Sequence, residues 1–300
     1  MKIIMSGSSG FLGTFIHEHL IKNNIVFSLG RRNDSDFKFD FSKNNKNAKL
    51  PDFDTFIHCA SLAHIVPKDK KQKEEFYKIN VDGTLSLLKL FSSSSKIPKS
   101  FVYISSVSVY GLNKGKLVDE SSPLLATDPY GLSKIKVEKL ILKWCKQNNV
   151  VCCILRLPLV IGKNPKGNLF KMIKSIKNKY FFNIAGGKAK KSMVLADDVA
   201  RIILKAAKTS GVFNLTDRYH PSFFEFSRLI SSQLKRNQPL SLSYSIAKIL
   251  AFIGDIVSIF PFNTNTLIKM TNDLTFSDDK AVKRIGWKPK SVINNYIIDK

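Results

Sequence analysis

Tyr130 and Lys134 are the residues in this sequence whose types and spacing best suit proton transfer. Residues four apart lie on one face of a helix, so the phenol and the ammonium group can approach each other. A free phenol has a pKa of about 10, and a neighbouring cation favours the phenolate and lowers that pKa. Such a pair can exchange a proton with a carbonyl oxygen while a hydride moves to or from the carbon.

The spacing alone is not specific, because four of the eight tyrosines have a lysine four residues later: Tyr110, Tyr130, Tyr244 and Tyr296. Tyr130 is distinguished by its context. It follows an Asp-Pro pair that predicts a helix start, and an amphipathic helix comes after it. It also lies 24 residues after Ser106, at the predicted carboxyl end of a strand, which is the edge where open α/β sheets bind ligands.

A glycine-rich turn joins the first predicted strand, Lys2–Ser6, to the first predicted helix. Gly7 permits a tight turn, Gly10 lets the backbone approach a pyrophosphate, and Gly13 lets the helix pack on the strand. The anion would then lie on the helix N-terminus, where free N–H groups and the helix dipole favour it. This strand–turn–helix context predicts a dinucleotide-binding site rather than an ordinary glycine-rich turn.

The end of the second strand indicates which dinucleotide binds. NAD sites place a carboxylate there to hold the ribose 2′-OH, whereas this chain has Arg31 and Arg32. Guanidinium groups pair well with a 2′-phosphate, so the sequence favours NADP(H) over NAD(H). The alternative is that both arginines are solvated loop charges.

Apolar runs alternate with helical periods through the first half of the chain, which predicts an α/β, Rossmann-type, doubly wound parallel sheet. The pattern loosens after about residue 160, which indicates a smaller, interleaved C-terminal substrate lobe. The expected division is residues 1–165 with 196–216 for the nucleotide-binding core, and 166–195 with 217–300 for the lobe.

The 300 residues carry 48 basic and 23 acidic side chains, a net charge of +25, which suits polyanionic partners or substrates. The excess lysines are spread along the chain rather than clustered, so specific nucleic-acid binding is not expected. The apolar stretch 245–262 is interrupted by Lys248 and Asp255 and ended by Pro261; it predicts a buried or interfacial helix, which leaves peripheral membrane contact open. The four cysteines show no framework or metal-ligand spacing, and no secretory signal is recognised, so a cytoplasmic protein without a metal site is expected.

Several motifs together resemble the extended short-chain dehydrogenase/reductases, specifically the NAD(P)-dependent nucleotide-sugar epimerase/dehydratase family. In chain order they are residues 7–13 (GSSGFLG), 39–41 (FDF), 57–60 (IHCA), 80–84 (NVDGT), 104–111 (ISSVSVYG), 128–134 (DPYGLSK), 156–158 (RLP), Gly162, 167–168 (GN), 191–194 (KSMV), 198–200 (DVA) and 285–289 (IGWKP).

The resemblance implies roles for individual residues. Ser106, Tyr130 and Lys134 look like the catalytic triad: Tyr130 would exchange the proton, Ser106 would bind the reacting oxygen, and Lys134 would hold the nicotinamide ribose. The implied cofactor-binding residues are Gly7, Gly10, Phe11, Leu12, Gly13, Arg31, Arg32, Asp40, Phe41, Ala60, Asn80, Tyr130, Lys134 and Pro158. Ser106, Asn168 and Lys191 would bind the substrate, although the family usually has arginine in place of Lys191.

One departure from the family narrows the expected reaction. Its 4,6-dehydratases carry an Asp-Glu pair directly after the catalytic hydroxyl residue, and this chain has Val107 and Ser108 there. The resemblance therefore implies reduction of a 4-keto sugar linked to UDP or dTDP, for surface polysaccharide synthesis. The alternatives are a UDP-hexose 4-epimerase with retained NAD and a non-catalytic NADP-sensing protein. Family members commonly form homodimers through two helices, here those that begin near Glu74 and Tyr130.

Overall fold

A parallel β-sheet forms the centre of the molecule. The computed structural model describes residues 1–43, 49–63, 65, 67, 69–93, 97–257 and 262–298. The strands of this part are β1 (Lys2–Ser6), β2 (Ile25–Gly30), β3 (Phe37–Lys38), β4 (Thr55–His58), β5 (Ser100–Ser106), β6 (Gly115–Val118), β7 (Val151–Leu157), β8 (Leu159–Ile161), β9 (Asn183–Ile184), β10 (Met193–Leu195), β11 (Gly211–Asn214), β12 (Ser241–Leu242) and β13 (Leu274–Phe276).

Helices follow most strands of the first half and dominate the second. They are α1 (Phe11–Leu20), α2 (Lys70–Phe76), α3 (Gly83–Ser93), α4 (Pro129–Gln147), α5 (Gly167–Lys177), α6 (Ala196–Ala206), α7 (Phe223–Gln233), α8 (Tyr244–Ile256), α9 (Thr264–Thr271), α10 (Asp279–Ile285) and α11 (Val292–Asn295). A π-helical turn, Tyr77–Asp82, joins α2 to α3, and a 3₁₀ turn, Val107–Tyr110, follows β5.

Within the described residues, the main sheet has the order β11-β7-β5-β4-β1-β2-β3, and all of its strands run parallel. The order reverses between β1 and β4, so the carboxyl ends of these two strands border a crevice. Strands such as β4 are buried along their whole length, as parallel strands covered on both faces must be. The predicted doubly wound fold is confirmed.

Helices cover both faces of the sheet with separate hydrophobic cores. Residues of α1 and α6 pack on one face with Trp287, while residues of α3 and α4 pack on the other. The Trp287 indole N–H donates to the carbonyl of Thr216 at 3.0 Å, which fixes this distant residue against the core. The central strands β4, β5 and β7 are therefore largely removed from water on both faces.

Helix α4 begins where the sequence predicts it. The Asp128 side chain accepts a hydrogen bond from the N–H of Gly131 at 3.0 Å, and Pro129 occupies the first helical turn, where its missing N–H costs nothing. The cap therefore fixes where Tyr130 and Lys134 lie relative to the sheet.

The later segments form short pairs of strands beside the main sheet: β8 with β10, β9 with β12, and β6 with β13. Another hydrophobic cluster joins α5, α7 and α11. The division of the chain at residue 165 remains a prediction.

Helix α8 (Tyr244–Ile256) covers most of the stretch 245–262, for which a buried or interfacial helix was predicted; residues 258–261 lie outside the described residues. Most of its large apolar side chains are exposed rather than buried. Of the helices in the described ranges, none has the length and apolar character needed to cross a membrane.

Candidate active site

The glycine turn after β1 has the geometry that a dinucleotide needs. Gly7 has a φ of +72°, and a Cβ there would lie 2.6 Å from the backbone N of Ala60. A Cβ on Gly13 would lie 1.9 Å from the Gly7 carbonyl oxygen, so α1 can approach the turn only without a side chain. Gly10 caps α1 without a side chain, which leaves the N–H groups at Phe11 and Leu12 directed to an anion. The turn fits a pyrophosphate.

Ser106, Tyr130 and Lys134 come together at the carboxyl edge of the sheet. Ser106 ends β5, and its hydroxyl lies near enough to the Tyr130 phenol, on α4, to lower the pKa of that phenol. The Lys134 Nζ lies 5.7 Å from the centre of the Tyr130 ring. The three side chains that the family resemblance singles out are thus neighbours beside the crevice.

The Lys134 side chain is anchored to strand β5 of the main sheet. Its Nζ donates to the carbonyl oxygen of Ile104 at 2.9 Å and lies 4.7 Å from the centre of the Tyr103 ring. Only 2% of the residue is exposed, and this burial lowers the pKa of Lys134 to about 8. The Lys134 ammonium is therefore positioned but only weakly stabilised as a cation.

The pKa of Tyr130 differs in direction from the sequence-based expectation. Burial raises the pKa of Tyr130 to about 12, and the hydrogen bond with Ser106 opposes that rise. Desolvation, which raises the pKa of Tyr130, therefore outweighs any lowering of that pKa by the nearby Lys134. Tyr130 is therefore a protonated phenol near neutral pH, which can act as a proton donor.

Asn80 joins the loop after β4 to α4. Its amide N donates to Ser133 Oγ at 2.9 Å and to the Leu62 carbonyl at 3.2 Å, and its amide O accepts from the Leu62 N–H at 2.7 Å. Asn80 is buried within the π-helical turn Tyr77–Asp82, a rare distortion that is frequent at functional sites. Asn80 therefore braces the helix that carries the catalytic candidates.

His58 has a structural role. Its two ring nitrogens bond to Ser6 Oγ at 2.6 Å and Thr84 Oγ1 at 3.0 Å, and the Phe41 ring stacks on it. Burial, with a smaller contribution from the charge of Lys134, lowers the pKa of His58 to about 3. The ring stays neutral and connects β1, β4 and α3.

The residues expected around the adenosine lie beyond the ends of β2 and β3. Arg31 and Arg32 are both exposed, and Arg32 makes a two-fold contact with Asp34, with Nε–Oδ1 3.1 Å and Nη2–Oδ2 3.0 Å. Hydrogen bonds from Ser42 lower the pKa of Asp40, and the charge of Arg31 adds slightly to this effect. Arg31 is thus the arginine more available to a ligand phosphate.

Phe41 lies close to the helix that follows the Asn80 turn. A Cβ on Gly83 would lie 2.5 Å from the Phe41 carbonyl oxygen, so only glycine permits this approach. Ala60, directly after β4, donates its N–H to Ser6 Oγ at 3.3 Å and borders the glycine turn. Pro158 follows β7 and is half-buried.

The two remaining substrate candidates lie in later segments. Asn168 is exposed in the first turn of α5. Lys191 donates from Nζ to the carbonyl oxygen of Asn272, at the end of α9, over 2.9 Å. Burial lowers the pKa of Lys191 to about 8, although the charge of Asp273 opposes the change.

A buried ion pair beneath the site was missed by the sequence analysis. Arg156 on β7 contacts Glu138 on α4 twice, with Nη2–Oε2 2.7 Å and Nε–Oε1 3.1 Å. The Ser105 hydroxyl also donates to Glu138, and Arg156 donates to Tyr110 Oη at 3.0 Å. The sequence did contain an indication of this ion pair, because Glu138 falls one turn after Lys134 on the buried face of a helix and Arg156 interrupts an apolar strand.

Comparison with known proteins places this geometry in a family. The model of the NAD dependent epimerase/dehydratase family matches residues 3–215, which is most of the chain. The match confirms the family that the sequence motifs resemble, and with it an NAD(P)-dependent enzyme of the short-chain dehydrogenase/reductase type.

Curated relatives cover nearly the whole chain at low identity. A sterol-4-alpha-carboxylate 3-dehydrogenase (decarboxylating) from Dictyostelium discoideum is 27% identical over 96% of this chain and 96% of its own length. The N-acetyl-alpha-D-glucosaminyl-diphospho-ditrans,octacis-undecaprenol 4-epimerase of Escherichia coli O157:H7 is 24% identical over 85% of this chain and 80% of its own.

Solved structures share the fold. A UDP-glucuronic acid 4-epimerase from Bacillus cereus, in complex with UDP-glucuronic acid and NAD, has a TM-score of 0.75 and 18% identity, and the alignment covers 98% of this chain and 96% of that one. At this identity the similarity establishes the architecture alone.

Proposed function

Because this chain belongs to the NAD-dependent epimerase/dehydratase family, we propose that it reduces the 4-keto group of a nucleotide-linked sugar. The observation that carries the proposal is the grouping of Ser106, at the end of β5, with Tyr130 and Lys134, one turn apart on α4, where the Lys134 Nζ lies 5.7 Å from the centre of the Tyr130 ring. Burial raises the pKa of Tyr130, so the phenol is protonated at neutral pH and can donate its proton to a carbonyl oxygen, as reduction of a ketone requires.

The roles of the chain's own residues follow from the contacts. Bound NADPH would supply the hydride to the carbonyl carbon. Tyr130 would donate its proton to the carbonyl oxygen, which the Ser106 hydroxyl would orient through a hydrogen bond. The cationic Lys134 would favour the phenolate left on Tyr130 after the transfer, so its charge matters most as the reaction proceeds.

The sugar's diphosphate gives the substrate its charge, and a chain of net charge +25 suits it. Asn168 and Lys191 are the residues we propose for the diphosphate. Lys191 keeps the positive charge of the arginine more usual in the family, but it contacts phosphate as a point charge rather than in a two-fold geometry. The diphospho-sugar of the Escherichia coli relative presents the same group to a protein.

We propose NADP(H) rather than NAD(H) as the cofactor. Arg31 is exposed beyond β2, while the neighbouring Arg32 is already engaged by Asp34. A 2′-phosphate would therefore pair with Arg31. The substitution Arg31→Ala is expected to raise the Kd for NADPH about tenfold or more while leaving that for NADH within about twofold, and Arg32→Ala should act more weakly. Equal losses for the two cofactors would refute the assignment of Arg31.

The decisive variant for the chemistry is Tyr130→Phe, which removes the proton and keeps the ring. The expected loss in kcat for a 4-keto nucleotide sugar is about 10²–10⁴-fold, with the Kd for NADPH unchanged within about twofold. Tyr244→Phe is the matched control, since Tyr244 is exposed and also has a lysine four residues later. An enzyme that keeps its kcat in Tyr130→Phe would overturn the proposed role.

A second measurement separates the reductase from its alternatives. A reductase consumes one NADPH for each keto sugar reduced, and the cofactor exchanges freely. Tightly retained NAD, with interconversion of two hexoses and no net cofactor use, would instead establish an epimerase. Stoichiometric cofactor binding without turnover of any nucleotide sugar would identify a sensing protein.

A further inference from the structure

On helix α8 the small side chains are buried and most of the large apolar side chains are exposed, which is the reverse of an ordinary surface helix. Small residues, Ala247, Ala251 and Gly254, face the protein. Five of its large apolar residues face outward, and between 44% and 69% of each is exposed. This outward surface, called here the α8 face, consists of Ile246, Ile249, Phe252, Ile253 and Ile256.

The α8 face is large enough to require an explanation. From the exposed fractions and the usual areas of such side chains, it presents on the order of 500 Å² of apolar surface. That is near the upper end for the largest apolar patch of a monomer, about 300–600 Å², and patches of this size are often functional. Scattered exposed residues would need no such account.

A strongly basic segment of the chain pairs with the strand that precedes α8. Residues 166–195 contain eight lysines and no aspartate or glutamate. Strand β9 of this segment pairs with β12, which leads into α8 through the cap residue Ser243. The Gly186 N–H also donates to Ser241 Oγ at 2.8 Å, so the basic segment and the start of α8 are neighbours.

We propose that the α8 face docks on an anionic lipid surface. An apolar helix face supplemented by nearby lysines is what binds the interface of an anionic bilayer, because burial of the side chains and attraction to the headgroups act together. Helix α8 has 13 residues and is about 20 Å long, which suits a helix lying in the interface plane.

A second copy of the chain fits the α8 face less well. A stable protein–protein interface buries about 800 Å² on each partner, more than the α8 face offers. Two copies would also bring two lysine-rich segments together, and their like charges would repel. Both the area and the charge therefore favour a lipid surface.

Docking would also orient the crevice. Helix α9 packs beside α8, and Lys191 donates to the Asn272 carbonyl at the end of α9. The residue we propose for the substrate diphosphate is thus joined to a helix that packs beside α8. Docking itself does not depend on the reaction, and vesicle binding tests it without turnover.

The test is flotation of the full chain with vesicles of equal parts phosphatidylglycerol and phosphatidylcholine. The triple substitution Ile249→Ser, Phe252→Ser and Ile256→Ser is expected to weaken vesicle binding about tenfold or more. Circular dichroism would verify that the variant is folded, and retained reductase activity would show that the site is intact.

The matched control removes three exposed apolar side chains elsewhere. Ile21, Ile25 and Leu117 are 50%, 55% and 59% exposed, and their triple replacement by serine should leave vesicle binding unchanged. Pure phosphatidylcholine should bind the native chain more weakly than the anionic mixture, since the lysines lose their partners.

A separate variant tests how much the lysine charges contribute to vesicle binding. Replacement of Lys171, Lys174 and Lys177, all exposed on α5, by glutamine should lower binding to the anionic vesicles and leave any binding to phosphatidylcholine unchanged. Failure of the native chain to float, or equal loss in the α8 variant and its control, would overturn the proposal. So would a fall in the native oligomer's mass in the α8 variant with vesicle binding intact, because that result would assign the face to a second copy.

Discussion

Removal of one partner of the Arg156–Glu138 pair should destabilise the protein far more than removal of both. The side chains are 5% and 2% exposed and lie 2.7 Å apart, so at an effective dielectric of about 20 their attraction is about 4–6 kcal/mol. Arg156→Met leaves the Glu138 carboxylate buried with the Ser105 hydroxyl. The expected loss in free energy of unfolding is about 3–5 kcal/mol, because a buried charge then lacks its counter-charge.

The double variant Arg156→Met, Glu138→Leu removes the charge altogether. Tyr110 keeps its hydrogen bond to Asn214 Oδ1 at 2.8 Å, while Ser105 loses an acceptor, at a cost of about 1–3 kcal/mol. The double variant should therefore be more stable than Arg156→Met alone.

Urea unfolding, followed by tryptophan fluorescence and far-ultraviolet circular dichroism, measures these free energies. A double-mutant cycle, made from the native protein, the two single variants and the double variant, gives the coupling free energy between Arg156 and Glu138. Costs of the single variants that add to within about 0.5 kcal/mol would show that the two charges do not depend on each other, and would refute the reasoning.

Three further outcomes are expected. Gly13→Ala should raise the Kd for NADPH about tenfold or more in a fluorescence titration, because a Cβ at 1.9 Å from the Gly7 carbonyl oxygen forces α1 away from the turn; an unchanged Kd would contradict the turn geometry. Since burial lowers the pKa of Lys134 to about 8, its charge is lost as the pH rises through that value, and kcat/KM should fall with a midpoint near pH 8. Lys134→Arg should move this limb to higher pH, and a profile that is flat across pH 8 in the native enzyme would argue against a role for the charge. Asn80→Leu should lower the free energy of unfolding by about 2–4 kcal/mol, since Ser133 and the Leu62 backbone lose a partner; urea curves that superimpose on the native ones would exclude the bracing role.

The main sheet could be predicted because its strands are short apolar runs, a pattern visible in the local sequence. Lys2–Ser6 is a mostly buried strand with the predicted bounds, and β5 ends at Ser106 as predicted. The Asp-Pro start placed α4 correctly for a similar reason, because a helix cap is a local property of the sequence.

Features that depend on distant contacts could not be predicted. Strands β6 and β13 pair residues about 160 positions apart and are only a few residues long, too short for a periodic pattern. Phe182 and Phe224 are exposed although phenylalanine is commonly buried, and no local pattern distinguishes them from core residues. The direction of the pKa of Tyr130 was wrong in the sequence analysis because spacing reveals a neighbouring lysine but not the extent of desolvation.

The position of Trp287 has a consequence for synthesis of the protein. All strands of the main sheet lie before residue 215, so the sheet can be complete on the ribosome while the rest of the chain is still being made. The hydrophobic layer on its α1 and α6 face nevertheless requires Ala281, Ile285 and Trp287. A nascent chain therefore carries uncovered apolar surface until these last residues emerge, and that interval is when it is most exposed to aggregation and most dependent on chaperones.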